Sequence, residues 1–273
     1  MTFPIDVSRR AFLVNASRGT IALVVLGVAG CGPAALSSAV PSEGSSPSGG
    51  STGAGGSTGA GGSANTAGSS GPPPSSGGGV TWQRANLGYV SAYVLVRAGE
   101  AAIVDTGVGG SEDAIHQAMA AAGVDWKDVG HVILTHKHGD HVGSIDAILA
   151  AATGATGYAG EADLPNITSP RSLTAVKDGD MVFGLRIVAT PGHTIGHVSV
   201  LDEAGGILVA GDALSTRGGE VGDSNPQFTD DMDQALDSIR KLGNLTFETL
   251  LVGHGDPILE GASARVAAFA AGS

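Results

Sequence analysis

Three histidines and an aspartate stand within six residues, His136-Lys137-His138-Gly139-Asp140-His141, directly after the apolar run Val132-Ile133-Leu134. A short buried strand that feeds four such side chains into a glycine-containing loop is poorly explained by packing. Burying three imidazoles and a carboxylate without partners is costly, and a bivalent metal removes that cost. Side chains alternate along an extended segment, so His136 and His138 are expected on one side, with Asp140 and His141 on the turn beyond. Two groups of ligands pointing apart suit two metals better than one. A solvated polar loop is the plain alternative.

Three further apolar runs end in the same way. Residues 185–188 lead into Thr190-Pro191-Gly192-His193, residues 207–210 end at Gly211-Asp212, and residues 250–252 end at Gly253-His254. Open α/β sheets place their sites outside such strand ends. Four ends meeting at one point would bring seven metal-type side chains together.

These residues resemble the metallo-β-lactamase superfamily, whose pattern is H-x-H-x-D-H, then a His, a bridging Asp and a last His. The matching positions are His136, His138, Asp140, His141, His193, Asp212 and His254, with none missing. Val104-Asp105-Thr106-Gly107 looks like the family's early strand-end turn. The resemblance covers the chain from about Val80 onward and implies an α/β fold, the four-layer αβ/βα sandwich. It also implies that His136, His138 and His193 hold one metal, that Asp140, His141 and His254 hold a second, and that Asp212 bridges them. A hydroxide shared by the two metals would then attack a carbonyl, with Asp140 as the catalytic carboxylate that orients it or passes on its proton. Asp105 and Thr135 are expected to fix the far nitrogens of ligating imidazoles, and His197, in a His-Thr-x-Gly-His run like the family's, to support the site. Two Zn(2+) per chain are the expected cofactors; manganese or iron also fit histidines with two carboxylates.

The N-terminus reads as an address. Ser8-Arg9-Arg10-Ala11-Phe12-Leu13 looks like a twin-arginine export signal. The apolar run at 21–30 falls short of the ~20 residues that span a bilayer, and Val28-Ala29-Gly30-Cys31 resembles a lipoprotein cleavage box with Cys31 lipidated. The expected organisation is a signal peptide over 1–30, a lipidated Cys31 with a Gly/Ser/Pro-rich linker over 31–79, and one catalytic domain over 80–273. The linker repeats Ser-Thr-Gly-Ala-Gly-Gly at Ser51 and Ser57 and is too poor in apolar residues to offset its ordering entropy. An exported bacterial lipoprotein facing the periplasm or cell exterior follows, held to a membrane through Cys31. Cys31 is the only cysteine, so neither a disulfide framework nor a thiolate ligand is available.

Within the domain, 87–97 and 101–104 are expected to pair about a turn at Ala98-Gly99-Glu100. Helices are expected over 111–122 (capped by Ser111), 144–152, 230–242 and 262–270. Residues 213–229 read as a long functional loop, and Tyr158 and Arg171 as parts of the pocket rim.

The formal charge of −12 and the lack of a basic patch argue against nucleic acid as a partner. A phosphodiester would need cations beyond the metals, and Lys137, Arg171, Lys177, Arg186 and Arg217 are the nearest in sequence. A small-molecule ester, thioester or lactone needs fewer, because the metals stabilise the oxyanion. By resemblance, quorum-signal lactonases carry a Tyr where Ser215 stands. Glyoxalase II-like thioesterases add a C-terminal substrate domain, for which few residues follow His254. β-Lactamases generally lack the carboxylate at Asp212, so β-lactam activity is expected to be weak or absent. An iron-dependent oxidoreductase or dioxygenase and a non-catalytic binding module are the other classes; composition gives no oligomeric state.

Overall fold

A computed structural model of the chain describes residues 78–273. The expected signal, Cys31 and all but the last residues of the linker lie outside the described residues.

Alternation along one strand sets the layering. In β2 (Ser91–Arg97), Ala92 and Val94 enter one apolar core while Tyr93 and Leu95 enter another. A strand apolar on both faces must be covered on both sides. β2 pairs antiparallel with β1 (Thr81–Asn86) and with β3 (Glu100–Val104). From β3 the sheet continues in parallel through β4 (Val129–Leu134), β5 (Thr156–Gly160) and β6 (Thr174–Val176). Its outer face is covered by α1 (Glu112–Ala121), by α2 (Gly139–Val142), a single turn, and by α3 (Ile145–Ala151). Ile115, Met119, Ile148 and Leu149 pack there against Val94, Ile103 and Val132.

The second sheet has the order β13-β10-β9-β8-β7. It comprises β7 (Met181–Val182), β8 (Leu185–Ala189), β9 (Val198–Asp202), β10 (Ile207–Gly211) and β13 (Thr249–Val252). Its inner face, with Leu185, Ile187, Val200 and Val209, meets Tyr93, Leu95, Val104 and Ile133 of the first sheet. Its outer face packs Leu208, Ala210 and Leu250 against Ile239 and Leu242 of α4 (Met232–Leu242) and Val266 of α5 (Ala262–Gly272). The layers therefore run helix, sheet, sheet, helix. This is the expected αβ/βα sandwich.

Strand direction places the site. β9 is antiparallel to both β8 and β10, and β10 is parallel to β13, so β8, β10 and β13 all end at one edge. β3 and β4 end at the facing edge of the first sheet, joined to the second where Thr135 O accepts from Val198 N–H (2.8 Å) and Gly253 O from Ser91 N–H (2.9 Å).

Several expected elements are corrected. Residues 87–90 form a turn, with Leu87 N–H donating to Val90 O, so β2 begins only at Ser91. β1 went unread because its buried residues, Trp82 and Ala85, are three apart and break the alternation. Ser111 stands at the N-cap of α1 without a side-chain cap; its backbone N–H instead donates to Ser144 Oγ (2.8 Å). The loop after Asp212 contains a hairpin, β11 (Ser215–Arg217) with β12 (Glu220–Gly222).

Candidate metal centre

Imidazoles from the ends of β4 and β8 converge. His138 Nδ1 lies 3.1 Å from His136 Nε2 and 3.0 Å from His193 Nε2. The tautomers follow from the hydrogens available. Thr135 Oγ1 spends its only hydrogen on the Asp105 carboxylate (3.0 and 2.9 Å) and so must accept from His136 Nδ1 (3.0 Å). Thr229 Oγ1 donates to Asn225 O (2.8 Å) and so accepts from His193 Nδ1 (3.2 Å). The lone pairs of both Nε2 atoms therefore point inward. Burial holds His136 well below the ordinary histidine range and His193 down at about 4, so both are neutral at pH 7. Two inward lone pairs, both within 3.1 Å of His138 Nδ1, form a donor set that suits a bivalent cation. Tetrahedral zinc, with Zn–N of about 2.0–2.1 Å, would set its donors about 3.3 Å apart.

The second group is charged. Asp140 and His141 sit on α2, and His254 follows β13. His254 Nε2 is 3.3 Å from Asp140 Oδ2 and 3.2 Å from Asp212 Oδ2. Its bonds to Asp140 and Asp212 raise it to about 10 despite partial burial. His141 is fully buried, which alone would lower it, but Asp212 and Asp105 outweigh burial and raise it well above its usual value. Asp212 is buried and still held well below the carboxylate range, chiefly by His141.

Asp212 faces both groups: Oδ1 is 3.3 Å from His141 Nε2, and Oδ2 is 3.4 Å from His193 Nε2. Among the described residues, the buried His141 Nε2 and Asp212 Oδ1 face only each other at 3.3 Å and make no well-formed hydrogen bond. Such orphaned atoms are what a bound cation would satisfy. Among the described residues, three sets of donor atoms lie close enough to hold an ion: His136, His138 and His193; His136, His141 and Asp212; Asp140, His141 and His254.

The supporting residues make defined contacts. Asp105, with a strained φ of +62°, accepts from Thr135 N–H (2.7 Å) and from His141 Nδ1 (2.9 Å). His197 Nε2 accepts from Asp212 N–H (3.1 Å), so its proton sits on Nδ1 and is given to Thr190 Oγ1 (2.8 Å). His197 thus fixes the backbone of Asp212 rather than the far nitrogen of a ligand. Gly253 leaves room for the cluster, since a Cβ there would lie 2.7 Å from the His141 ring and closer still to Asp212.

The cluster opens into a cavity of about 1210 Å³, walled by Tyr89, Leu214, Val221 and Phe228, with Arg217 and Glu220 on the hairpin. Tyr89 was missed by sequence reasoning. Its carbonyl accepts from His254 Nδ1 (2.7 Å) and its ring stacks on His254 at 6.0 Å. Nothing in a solvent-facing turn residue signals this. Thr229, Arg84 and Asp163 were missed too. Arg84 binds Gly255 O (2.8 Å) and Asp256 (2.9 Å) and so steadies the turn after His254. Tyr158 and Arg171 do not form the rim. Tyr158 packs on the core between the sheets beside His131, and Arg171 donates to Leu149 O and Ala152 O at the end of α3.

The sequence profile of the Metallo-beta-lactamase superfamily matches residues 85–254, from β1 through His254. The chain belongs to that superfamily. It is 30% identical over 196 residues to the uncharacterized protein YobT of Bacillus subtilis, covering 61% of this chain and 83% of YobT. It is 35% identical over 142 residues to hydroxyacylglutathione hydrolase of Rhodospirillum rubrum, covering 50% of this chain and 51% of that enzyme. The chain thus spans about half the length of that relative. Among solved structures, a metallo-beta-lactamase family protein of Thermus thermophilus superposes with a TM-score of 0.57 at 24% identity, covering 71% of this chain and 79% of that one. Its likeness concerns the fold. These relatives include hydrolases, hydroxyacylglutathione hydrolase and the probable metallo-hydrolase YflN of Bacillus subtilis among them, and the His and Asp clusters are metal-binding groups of this fold.

Proposed function

We propose that the chain is a dinuclear metal hydrolase acting on a small ester, thioester or lactone. The observation that carries this is Asp212, whose two oxygens face the two ligand groups. His136, His138 and His193 would hold one metal; Asp140, His141 and His254 the other; Asp212 both. Zinc suits the histidine-rich donor set. Two such ions, when bound, supply an acidified water and a Lewis acid for the carbonyl.

The protein's own part is positioning. Asp105 and Tyr89 O hold His141 and His254 by their Nδ1 atoms, so each aims Nε2 inward. Asp140, a quarter exposed beside His254, faces the cavity and can take a proton from water or pass one to a leaving group. Among the described residues, Arg217 is the single Lys or Arg lining the cavity. Lys137 pairs with Asp230 and Arg186 with Glu203. One cation beside an apolar wall favours an acyl substrate over a phosphodiester backbone.

The zinc-loaded protein, offered aryl esters, S-acyl thioesters, lactones, β-lactams and phosphodiesters, is expected to hydrolyse one of the first three fastest. Efficient β-lactam turnover without ester, thioester or lactone turnover would reverse this order. His254→Ala should lower bound zinc from two ions to one; a single ion in the loaded wild type would refute the dinuclear centre. For the N-terminal segment we propose export and acylation of Cys31, so Cys31→Ala should release the protein from the membrane fraction.

A further inference from the structure

A buried carboxylate outside the ligand set joins the two loops that carry the three-histidine group. Asp163 follows β5, at the start of the short 3-10 turn Leu164–Asn166, and is 0% exposed. Among the described residues no cation pairs with it; its partners are two backbone amides and a hydroxyl. Oδ2 accepts from Lys137 N–H (3.0 Å) and from the Thr194 hydroxyl (2.6 Å), and Oδ1 accepts from Gly196 N–H (3.0 Å). Lys137 lies between His136 and His138. Thr194 follows His193, and Gly196 precedes His197. One carboxylate therefore grips the chain between two ligands from β4 and, across the gap, the chain on the far side of the third.

The fit is tight. A Cβ at Gly196 would lie 2.7 Å from the Asp163 carboxyl carbon, so a glycine is required for the close approach. Charge-assisted bonds are the stronger and more directional kind, and three from one rigid group leave little freedom between the loops. The second ligand group receives none of them. His141 is held by Asp105 and His254 by Tyr89.

We propose that Asp163 is a positioning residue for the metal held by His136, His138 and His193: it sets the separation of the two loops without touching metal or substrate. This rests on reading the three-histidine group as a metal site.

The test is cobalt(II) titration of the full chain, followed by its visible d–d absorption. His254→Ala isolates the three-histidine group, and His193→Ala isolates the other. Asp163→Asn keeps the shape but exchanges an acceptor for a donor facing Lys137 N–H. In the His254→Ala background it should weaken cobalt binding about 10–100-fold, the range found for residues that orient metal ligands, and shift the absorption bands. In the His193→Ala background it should change neither. Thr194→Val, which removes one of the three bonds at nearly constant volume, should give a smaller loss confined to the same group and decides the matter if Asp163→Asn does not fold. Equal losses in both backgrounds, as a general structural role would give, or no loss in either, overturn the proposal. Absence of cobalt from the three-histidine group of the parent would instead overturn the metal reading itself, before any Asp163 variant is compared.

Discussion

The two candidate ligand groups both face Asp212 and differ in charge. Around His138 the imidazoles are neutral, because burial denies His136 and His193 a proton and threonine hydroxyls occupy their outer nitrogens. Around His254 carboxylates face the imidazoles: Asp140 and Asp212 raise His254, and Asp212 and Asp105 raise His141, above the ordinary histidine range. In the metal-free protein a proton thus does at one group what a metal would do at both. A cation enters the first group unopposed and must displace protons from the second.

The largest expected effect comes from removing what the groups share. Asp212→Ala should lower kcat by at least about a hundredfold, beyond the 10–100-fold typical of residues that merely support ligands. It should also bring His254 down toward the ordinary histidine range, which NMR titration of the metal-free protein would show. An unchanged His254 would mean that Asp140 alone accounts for the difference between the groups.

Proton release sharpens the comparison. At pH 7, calorimetry in buffers of different ionisation enthalpy should find almost no proton released with a metal at the three-histidine group. At the other group it should find about one or more, since His254 titrates at about 10. Affinity there should fall about tenfold per pH unit for each proton displaced, as pH drops. Equal release from both groups would erase the distinction.

The smallest effect concerns the metal-free fold. His197 is pushed down to about 3 by burial from an ordinary 6.5. Above pH 6.5 neither the folded nor the unfolded state protonates it, and stability does not vary with pH through this residue. Between about 6.5 and 3 only the unfolded chain binds the proton. Stability therefore falls with falling pH, by at most about 1.4 kcal/mol per pH unit for this residue. Urea unfolding of wild type and His197→Gln should show the variant less stable at pH 7 but with a shallower loss toward pH 4.

The four strand ends were legible because each couples an apolar run to a glycine and a metal-type side chain, a combination that packing alone does not favour, and the sandwich followed from the family resemblance those residues carry. Legibility ended where function rests on backbone atoms or on distant partners. Tyr89 acts on His254 through a carbonyl, which every residue has. Asp163 looks like any polar residue after a strand until β8 and β9 bring Thr194 and Gly196 against it. Arg171 was misplaced for the opposite reason: a guanidinium invites a substrate-binding reading, whereas here it satisfies the last carbonyls of α3.

The proposed ligands come from both sheets, and the run from His136 to His254 spans most of the domain. No stretch shorter than 136–254 contains all seven of these residues, so a partly folded chain would offer a metal little to grip. Bringing residues so far apart in sequence together requires closing the long loops between them, which is entropically costly and slow. A metal that recognises only the finished arrangement acts after the folding barrier has been crossed. Such a metal would leave the speed of folding almost untouched and instead slow escape from the native state. For a protein of this design, metal supply would govern how long each molecule lasts more than how readily it forms.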